Sequence, residues 1–519
     1  MPNKNLFFGP EHDTTNNAGG KAYKRSSEEA LAQYACTGCL YDTYYVKAQD
    51  HLKTVKALAD EVSDEFLAKC AVYAREEGKM KDMPAMLLTL LRKRNVTLFK
   101  QAFPRVVNNG KMLHTVSHFF LQTGQKLGSG VLKTVYTDWL NNASDKLLLN
   151  ASVGNDPTLK DIIKLVRPKP KDAARAALFA YILGGETNIE LRTVKIQRAH
   201  KTEVTHEELP QIVVDLIKWQ KGHSLEMPRV DFRLGTGTQL SKEQWTAIAR
   251  TSPWNMTRIN LNTFLRHGVF DSKEMVDIVA ERLSSAELIK KANAFPYDIF
   301  SAYRNINSEM PCPIVDALHD AIEIAVDNVP VLDGSVYICV DTSGSMGGSA
   351  TGGYNSNITC SEVAALFACS MLRTNRHADM IQFDTQLHPC SLEPRDTILS
   401  NTQRMRAPGW GTDCSLPMAK ILEAKKKYDY IIYVSDNESW ADRMYGGVGM
   451  HQLFDKYKKT VHKKAKLVCI DITPNTSTQA KTGQDILNVG GFSDAVFTVI
   501  SNFFDNKTGF VDKVKSTEL

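Results

Sequence analysis

Ser335-Val336-Tyr337-Ile338-Cys339-Val340 runs directly into Asp341-Thr342-Ser343-Gly344-Ser345. The first six residues are mostly apolar and read as a strand buried on both faces. Met346-Gly347-Gly348 follows, and then an apolar helical pattern from Val363 to Leu372. Asp341, Ser343 and Ser345 place a carboxylate and two hydroxyls in alternate positions just past a strand's carboxyl end, where they can converge on one point. Oxygen-only ligands suit a hard divalent cation, magnesium best, with water completing the octahedron. Open α/β sheets bind ligands at that edge. Taken alone, Asp-x-Ser-x-Ser is also what a Gly/Ser-rich turn after a strand looks like.

Two further stretches bear on that choice. Gly409-Trp410-Gly411-Thr412-Asp413 is a turn carrying a hydroxyl and a carboxylate. Tyr430-Ile431-Ile432-Tyr433-Val434-Ser435-Asp436-Asn437 is a second apolar strand ending in a carboxylate. The three pieces, in this order, resemble the metal-ion-dependent adhesion site of von Willebrand A domains. That resemblance implies a first ligand loop of Asp341, Ser343 and Ser345, a second at Thr412 and a third at Asp436.

Around these motifs, strands are expected at Ser335–Val340, Met380–Phe383, Ile431–Val434, Lys466–Ile472 and Val496–Val499, with helical segments between them. Apolar strands alternating with helices imply a Rossmann-like parallel sheet covered on both faces. The pattern changes near Asn328-Val329-Pro330, giving two expected domains, 1–330 and 331–519.

In the first of these the helical period dominates from Ser26 to about Asp327, and strand-like alternation is rare. Start signals recur at Ser63, at Asp82 before Pro84, and as capping boxes at Thr205/Glu208, Ser241/Gln244 and Ser284/Glu287. Apolar residues then follow at three- and four-residue steps, as in Leu209, Val213, Val214, Ile217 and Trp219. Many helices with short connections and no heptad imply an α-solenoid or stacked helix pairs, although no strict repeat period is visible.

The chain has 519 residues, enough for two or more domains. Met1 to Gly20 is polar, with neither the apolar core of a signal peptide nor the character of a transit sequence. No stretch approaches a membrane span, so a cytoplasmic protein is expected. Ten scattered cysteines read as reduced core residues. The lone Cys36-Thr37-Gly38-Cys39 pair has no second C-x-x-C to complete a metal site. Charge is uneven. The first 330 residues hold 43 Lys+Arg against 38 Asp+Glu, whereas the remainder holds 20 of each. Asn155 to Lys201 carries 10 basic and 5 acidic residues, including Lys160, Lys164, Arg167, Lys169 and Lys171. An electrostatic footprint for nucleic acid, if present, lies there; a solvated helix end with a Pro-punctuated exit has the same composition.

Several stretches resemble the Ro ribonucleoprotein family, which includes the Ro autoantigen and its bacterial relatives; the bacterial type is the expected one here. They are Asn17-Ala18-Gly19-Gly20-Lys21-Ala22-Tyr23, Thr43-Tyr44-Tyr45, Lys81-Asp82-Met83-Pro84-Ala85, Leu159-Lys160-Asp161-Ile162, Arg258-Ile259-Asn260-Leu261-Asn262 and Phe295-Pro296-Tyr297. Gly411-Thr412-Asp413-Cys414-Ser415-Leu416-Pro417-Met418 and Ser435-Asp436-Asn437-Glu438 complete the set. The resemblance implies a TROVE module of HEAT-like helical repeats closed into a ring, followed by a von Willebrand A domain. It also implies that single-stranded 3′ ends of misfolded structured RNAs enter the ring while small non-coding Y-type RNAs bind its outer surface. A monomer is expected, with an exoribonuclease such as polynucleotide phosphorylase as protein partner. Lys160 to Pro170 matches a segment that helps bind Y RNA. Arg167 stands where family members usually carry His, and this fixes the positive charge.

A non-catalytic RNA-binding protein is the first reading, and a metal-dependent adhesion or scaffold module is the alternative. An enzyme ranks below both. There is no Gly-x-x-x-x-Gly-Lys-Ser/Thr and no His-Glu-x-x-His. Three of the five expected metal ligands are neutral hydroxyls, whereas a two-metal nuclease would want more carboxylates. His114, His118, His206 and His267 sit in helical patterns and read as packing, capping or surface residues.

Overall fold

The computed structural model describes residues 13–15, 21–37, 48–78, 80–154, 156–197, 203–224, 226–235, 240–292, 294–350, 358–390, 392–405, 409, 411–436, 439, 449–473, 476–483, 485–490, 495–504 and 510–519. Packing divides the chain into two compact units. One holds Met1–Met83, Trp254–Ile259 and Ala280–Glu518; the other holds Pro84–Pro253 and Asn260–Val279, with Leu519.

The first unit is built on a six-stranded sheet. Its strands are β1 (Val336–Asp341), β2 (Asp379–Phe383), β3 (Leu387–Pro389), β4 (Tyr430–Ser435), β5 (Lys466–Asp471) and β6 (Ile486–Gly490). They lie in the order β6-β5-β4-β1-β2-β3. Every neighbouring pair is parallel except β2 and β3. Each residue of β1, β5 and β6 is buried, which is why these runs are nearly continuous in apolar residues. Tyr337, Cys339, Ile431, Tyr433, Leu467 and Cys469 form one face, which packs with Met418, Ile421, Phe454 and Tyr457 of two covering helices. The helix Cys360–Thr374 packs on β1, β2 and β4. Its Phe367 stacks on Phe497, which stacks in turn on Phe295. Strand order reverses at β1, so Asp341 ends at a topological switch point, where such sheets open a ligand crevice.

Four of the five expected strands are present. The fifth, Val496–Val499, is instead part of a helix, Ala495–Phe504. Val496, Phe497, Ile500, Phe503 and Phe504 are buried at one-, three- and four-residue steps. That spacing is helical; the β-branched residues of a short apolar run had suggested a strand. The strand in this region is β6, whose Asn488 and Gly490 broke the apolar pattern.

Packing also cuts the chain elsewhere than at the 330/331 border. The strand Lys21–Lys24 pairs antiparallel with Ser477–Thr478. In the helix Ser27–Thr37, Gln33 Nε2 donates to the Asn488 carbonyl of β6 at 2.5 Å. The amino-terminal segment thereby completes the sheet unit.

The second unit is mainly helical, as its sequence predicts. Phe99, Phe103, Phe120 and Tyr136 meet mostly edge-on inside it, with ring centroids 5.5 to 6.5 Å apart. Such pairs contribute about 0.5–1.5 kcal/mol each beyond the area they bury. A three-stranded antiparallel sheet, Glu186–Asn188, Thr193–Gln197 and Glu203–His206, was not legible in the sequence. Thr205 belongs to it and so caps no helix; the next helix starts at Gln211 behind Pro210. Ser241 and Gln244 make both bonds of their capping box. Ser63 accepts from the Phe66 N–H in the first unit. The cap expected at Ser284 falls one residue later, where Ser285 accepts from the Leu288 N–H.

The nine described cysteines are free thiols, most of them buried; Cys39 lies outside the described residues, as do Thr43-Tyr44-Tyr45. Among the described residues no helix is long and apolar enough to cross a membrane.

Candidate metal centre and nucleic-acid interface

Asp341 is the last residue of β1 and is fully buried. Its Oδ1 accepts from the Ser343 N–H at 2.8 Å, which folds the following loop back over the strand end. Ser343 Oγ and Ser345 Oγ then stand 3.2 Å apart. The first three expected ligands are thus brought together by one turn. Thr342 anchors that turn, since its N–H and Oγ1 both donate to the Phe383 carbonyl at the end of β2, at 2.8 and 3.1 Å.

The second loop is stitched to the first. The Gly409 N–H donates to the Thr342 carbonyl at 2.5 Å. A Cβ on Gly409 would lie 2.4 Å from Asp384 Oδ2, so a side chain there forces the buried Asp384 carboxylate to move. Gly409→Ala is therefore expected to destabilise the protein by about 1–3 kcal/mol, measurable by urea titration of the metal-free chain. Thr412 is buried, and its carbonyl accepts from Ser439 Oγ at 3.3 Å. Asp413 Oδ1 accepts from the Ser415 N–H and Oγ at 2.9 and 2.5 Å. Asp413 Oδ2 is buried and has no hydrogen-bond partner among the described residues.

Asp436 follows β4 directly and is buried. Ser435 Oγ donates to Asp341 Oδ2. Burial and the neighbouring Asp436 charge together push the Asp341 carboxyl up to about 7, against the pull of its hydrogen bonds from Ser435 and Ser343. Burial likewise raises Asp413. Two like charges this close in a dry site oppose each other's ionisation unless a cation joins them. Two carboxylates, three hydroxyls and an orphaned carboxylate oxygen are the oxygen-only chemistry that suits a small divalent cation. Sequence reasoning missed the roles of Thr342, Asp413, Ser435 and Ser439. The first three lie inside the quoted motifs and Ser439 lies two residues past the third, and the carboxylate of Asp413 was visible in its turn.

The basic stretch lies in the other unit. Thr158 caps the helix Leu159–Val166, accepting from the Asp161 N–H while Asp161 reaches back to the Thr158 N–H, both at 3.1 Å. Leu159, Ile162, Ile163 and Val166 are buried, which turns Lys160 and Lys164 outward. Leu165, apolar like its neighbours Ile162, Ile163 and Val166, is nevertheless 46% exposed. The helix stops at Arg167, in the left-handed region at φ 50° and ψ 58°, with its N–H on the Ile163 carbonyl at 2.8 Å. Asn141 then pins the exit by donating to the Lys169 carbonyl at 2.9 Å and accepting from the Lys171 N–H at 3.1 Å. Lys160, Lys164, Arg167, Lys169 and Lys171 are all exposed, and among the described residues none is held in an ion pair. Arg175, counted in the same basic stretch, is buried and bonds the Ala143 carbonyl.

Other candidates have structural roles. Lys466 is buried, and its Nζ donates to the Phe503 and Phe504 carbonyls at 2.7 and 3.2 Å, closing a helix end rather than facing solvent. His114 is buried with its ring nitrogens 2.7 Å from the Pro157 and Ala151 carbonyl oxygens. His267 stacks on Trp245 at 4.3 Å.

Residues 335–504 match the family described as the Ro60 vWA domain. The whole chain is similar to a protein named RNA-binding protein RO60 from Deinococcus radiodurans, at 26% identity over 95% of each chain. It is also similar to a Caenorhabditis elegans protein of the same name, at 24% identity over 59% of this chain and 47% of the relative. The crystal structure of the Deinococcus radiodurans RO (RSR) protein shares the fold, with a TM-score of 0.66 over 93% of this chain and 100% of that one, at 21% identity. The Ro resemblance read from scattered motifs thus extends along the chain, and the sheet with its Asp-x-Ser-x-Ser loop is the part matched to a family.

Proposed function

We propose that this chain is a non-catalytic, cytoplasmic RNA-binding protein whose helical part grips phosphates and whose von Willebrand A domain carries a metal-ion-dependent adhesion site. The observation that carries the RNA reading is similarity along 95% of the chain to a protein named for RNA binding. The cluster of exposed cations from Lys160 to Lys171 on one helix end supports it. Lys and Arg neutralise phosphates and release counterions, giving affinity with little sequence preference.

In this reading, residues 1–330 are a TROVE module of HEAT-like repeats closed into a ring. The ligands are small non-coding Y-type RNAs and misfolded structured RNAs with a free 3′ tail, destined for quality control or decay. The chain acts as a monomer with an exoribonuclease such as polynucleotide phosphorylase. Asp341, Ser343, Ser345, Thr412 and Asp436 hold Mg²⁺. When bound, the cation would offer an open position to a partner's carboxylate. The buried hydroxyl-rich loop gives weight to the alternative, a metal-dependent protein scaffold, which can coexist with RNA binding on the other unit.

A duplex carrying a single-stranded 3′ tail is expected to bind at least about tenfold tighter than the same duplex blunt-ended, since only the tail can thread a central opening. Competition filter binding with the two RNAs tests this. Equal affinities would remove threading from the reading while leaving phosphate binding intact.

A further inference from the structure

The candidate metal centre occupies the carboxyl edge of the six-stranded sheet. Strands β1, β2, β4, β5 and β6 are parallel, so their amino ends share the opposite edge. That edge carries the other charge. Residues 331–519 hold cations and anions in equal number, yet residues 420–429 and 455–466 together hold ten lysines against three acids. The two segments meet in the fold. The helices Ser415–Glu423 and Met450–Thr460 pack on each other. Tyr457 Oη donates to the Lys426 carbonyl and accepts from the Tyr428 N–H, both at 2.8 Å. The turn after the second helix is tied to the same place, with His462 Nε2 2.9 Å from Asp429 Oδ1 and the Lys466 N–H on the Asp429 carbonyl at 2.9 Å. Residues 425–427 and 462–464 therefore lie side by side where β4 and β5 begin.

The acids at the strand starts already have partners. Asp379 of β2 pairs with Lys426 and accepts from Tyr428 Oη. Asp429 accepts from the Ser335 N–H and Oγ, at 2.8 Å each, besides facing His462. Asp485, just before β6, pairs with Lys458, and Asp455 faces His451 at 3.6 Å. Lys420, Lys425, Lys427, Lys459, Lys463 and Lys464 are left over, with Lys456 a turn behind. All are exposed, and among the described residues none is held in an ion pair. The exposed acids that stand against them are Glu423 and Asp333. A lysine in the last turn of a helix offsets the helix dipole, which accounts for Lys459 and in part for Lys420. Lys425, Lys427, Lys463 and Lys464 lie beyond the helices and have no such role. Lys425, like Arg167 in the other unit, holds the left-handed position after a helix, at φ 50°, where glycine is usual. An excess of like charge gathered on one edge is the footprint that a polyanion neutralises. The rings behind it, Tyr428 and Tyr457, are buried, so the edge offers phosphate contacts and no platform on which unpaired bases could stack.

We propose that the amino edge of this sheet is a second RNA surface, which holds the phosphate backbone of paired RNA through Lys425, Lys427, Lys463 and Lys464. It rests on the RNA reading above and extends it to the unit that carries the candidate metal centre. The quadruple variant Lys425→Gln/Lys427→Gln/Lys463→Gln/Lys464→Gln should flatten the plot of log affinity against log salt on a duplex by about 2 to 4 units, each lost phosphate contact contributing close to one. Affinity at 0.1 M salt should fall at least about tenfold and equally for duplexes of different sequence. The four side chains are exposed, so the variant keeps its core. In the parent, a bound duplex should slow acetylation of these four lysines at least about threefold relative to Lys53, an exposed lysine of the helix Ala48–Glu61.

Filter binding of a blunt RNA duplex to the full-length chain over a salt series, with folding checked by circular dichroism, reads the first effect. Mass spectrometry after brief acetylation, with and without the duplex, reads the second and needs no variant. A flattened slope together with protection of the four lysines supports the proposal; the absence of either overturns it. An equal loss of affinity for an unpaired uridine strand of the same length overturns the preference for paired RNA. A variant that binds the duplex as the parent does but loses a polyglutamate probe assigns the edge to an acidic protein and likewise overturns it. A parent that binds no RNA at all would instead overturn the RNA reading itself, and that outcome is distinct from a parent that binds while the quadruple variant does not differ.

Discussion

Replacing Lys164, Arg167 and Lys169 together by Gln will lower RNA affinity by about two to three orders of magnitude at 0.1 M salt, without unfolding the protein. The size follows from counterion release. Each phosphate contact contributes close to one unit to the slope of log affinity against log salt on a duplex, so three contacts flatten it by about 2 to 3 units. Folding should survive because the three side chains are exposed and among the described residues take part in no ion pair. The buried face of their helix, Leu159, Ile162, Ile163 and Val166, is untouched. The loss should be similar across RNA sequences, because phosphate contacts position a ligand and carry little sequence information. Arg167→His is the companion. An imidazole there titrates near neutrality, so binding would gain a pH dependence between about 6 and 7.5 if the residue touches RNA. Filter binding over a salt series and two pH values reads both effects. An unchanged slope with no new pH dependence would place the RNA site elsewhere.

Much of the candidate metal centre was legible because a parallel sheet writes its functional edge into the sequence. Each central strand is a short apolar run, and its carboxyl end is marked by the first polar residue, as at Val340-Asp341 and Ser435-Asp436. Ile470-Asp471 carries the same mark and was equally readable. What was not readable is its ion pair with Arg25, which lies 446 residues away and is brought there by the amino-terminal strand pairing. The misread strand at Val496–Val499 shows the opposite limit. A short run of β-branched and aromatic residues fits both a buried strand and a helix packed along one face, and only its length and neighbours separate them. On the basic helix, the run from Ile162 to Val166 reads as one apolar face, and Ile162, Ile163 and Val166 are buried as that reading expects, whereas the capping box at Thr158 and Asp161 was not read from the sequence. Leu165 escaped because the helix ends two residues later, where Arg167 turns left-handed and the face is no longer covered.

The metal-free protein should lose stability as pH rises from about 4 to about 7, and Mg²⁺ should restore it only at the upper end. The sign follows from Asp341. Its folded carboxyl is pushed up to about 7 from 3.8, so the unfolded chain ionises first. The contribution of this group is fully present below pH 4 and is lost as pH climbs through 7. At 1.36 kcal/mol per unit, the shift corresponds to roughly 4 kcal/mol. Asp471, raised to about 6 mainly by burial, and Asp413, raised for the same reason, act in the same direction. Acids held low by ion pairs, such as Asp379 beside Lys426, act in the other. The informative quantity is therefore the difference between the parent and Asp341→Asn, which cannot ionise at that position. That difference isolates one group. A cation binds only the ionised pair, so protons compete with it. At pH 8 with Mg²⁺ at a hundred times its dissociation constant, the gain should be about 2.7 kcal/mol, and near pH 5 it should vanish. Asp341→Ala should show no Mg²⁺ response at any pH while binding RNA nearly as the parent does, because the exposed cations belong to the other unit. Urea titrations from pH 4 to 8, with EDTA or Mg²⁺, measure the first effects, and filter binding measures the last. A metal-free parent whose pH profile matches that of Asp341→Asn would mean that Asp341 is not driven toward its neutral form. A large loss of RNA affinity in folded Asp341→Ala would mean that the two sites are coupled.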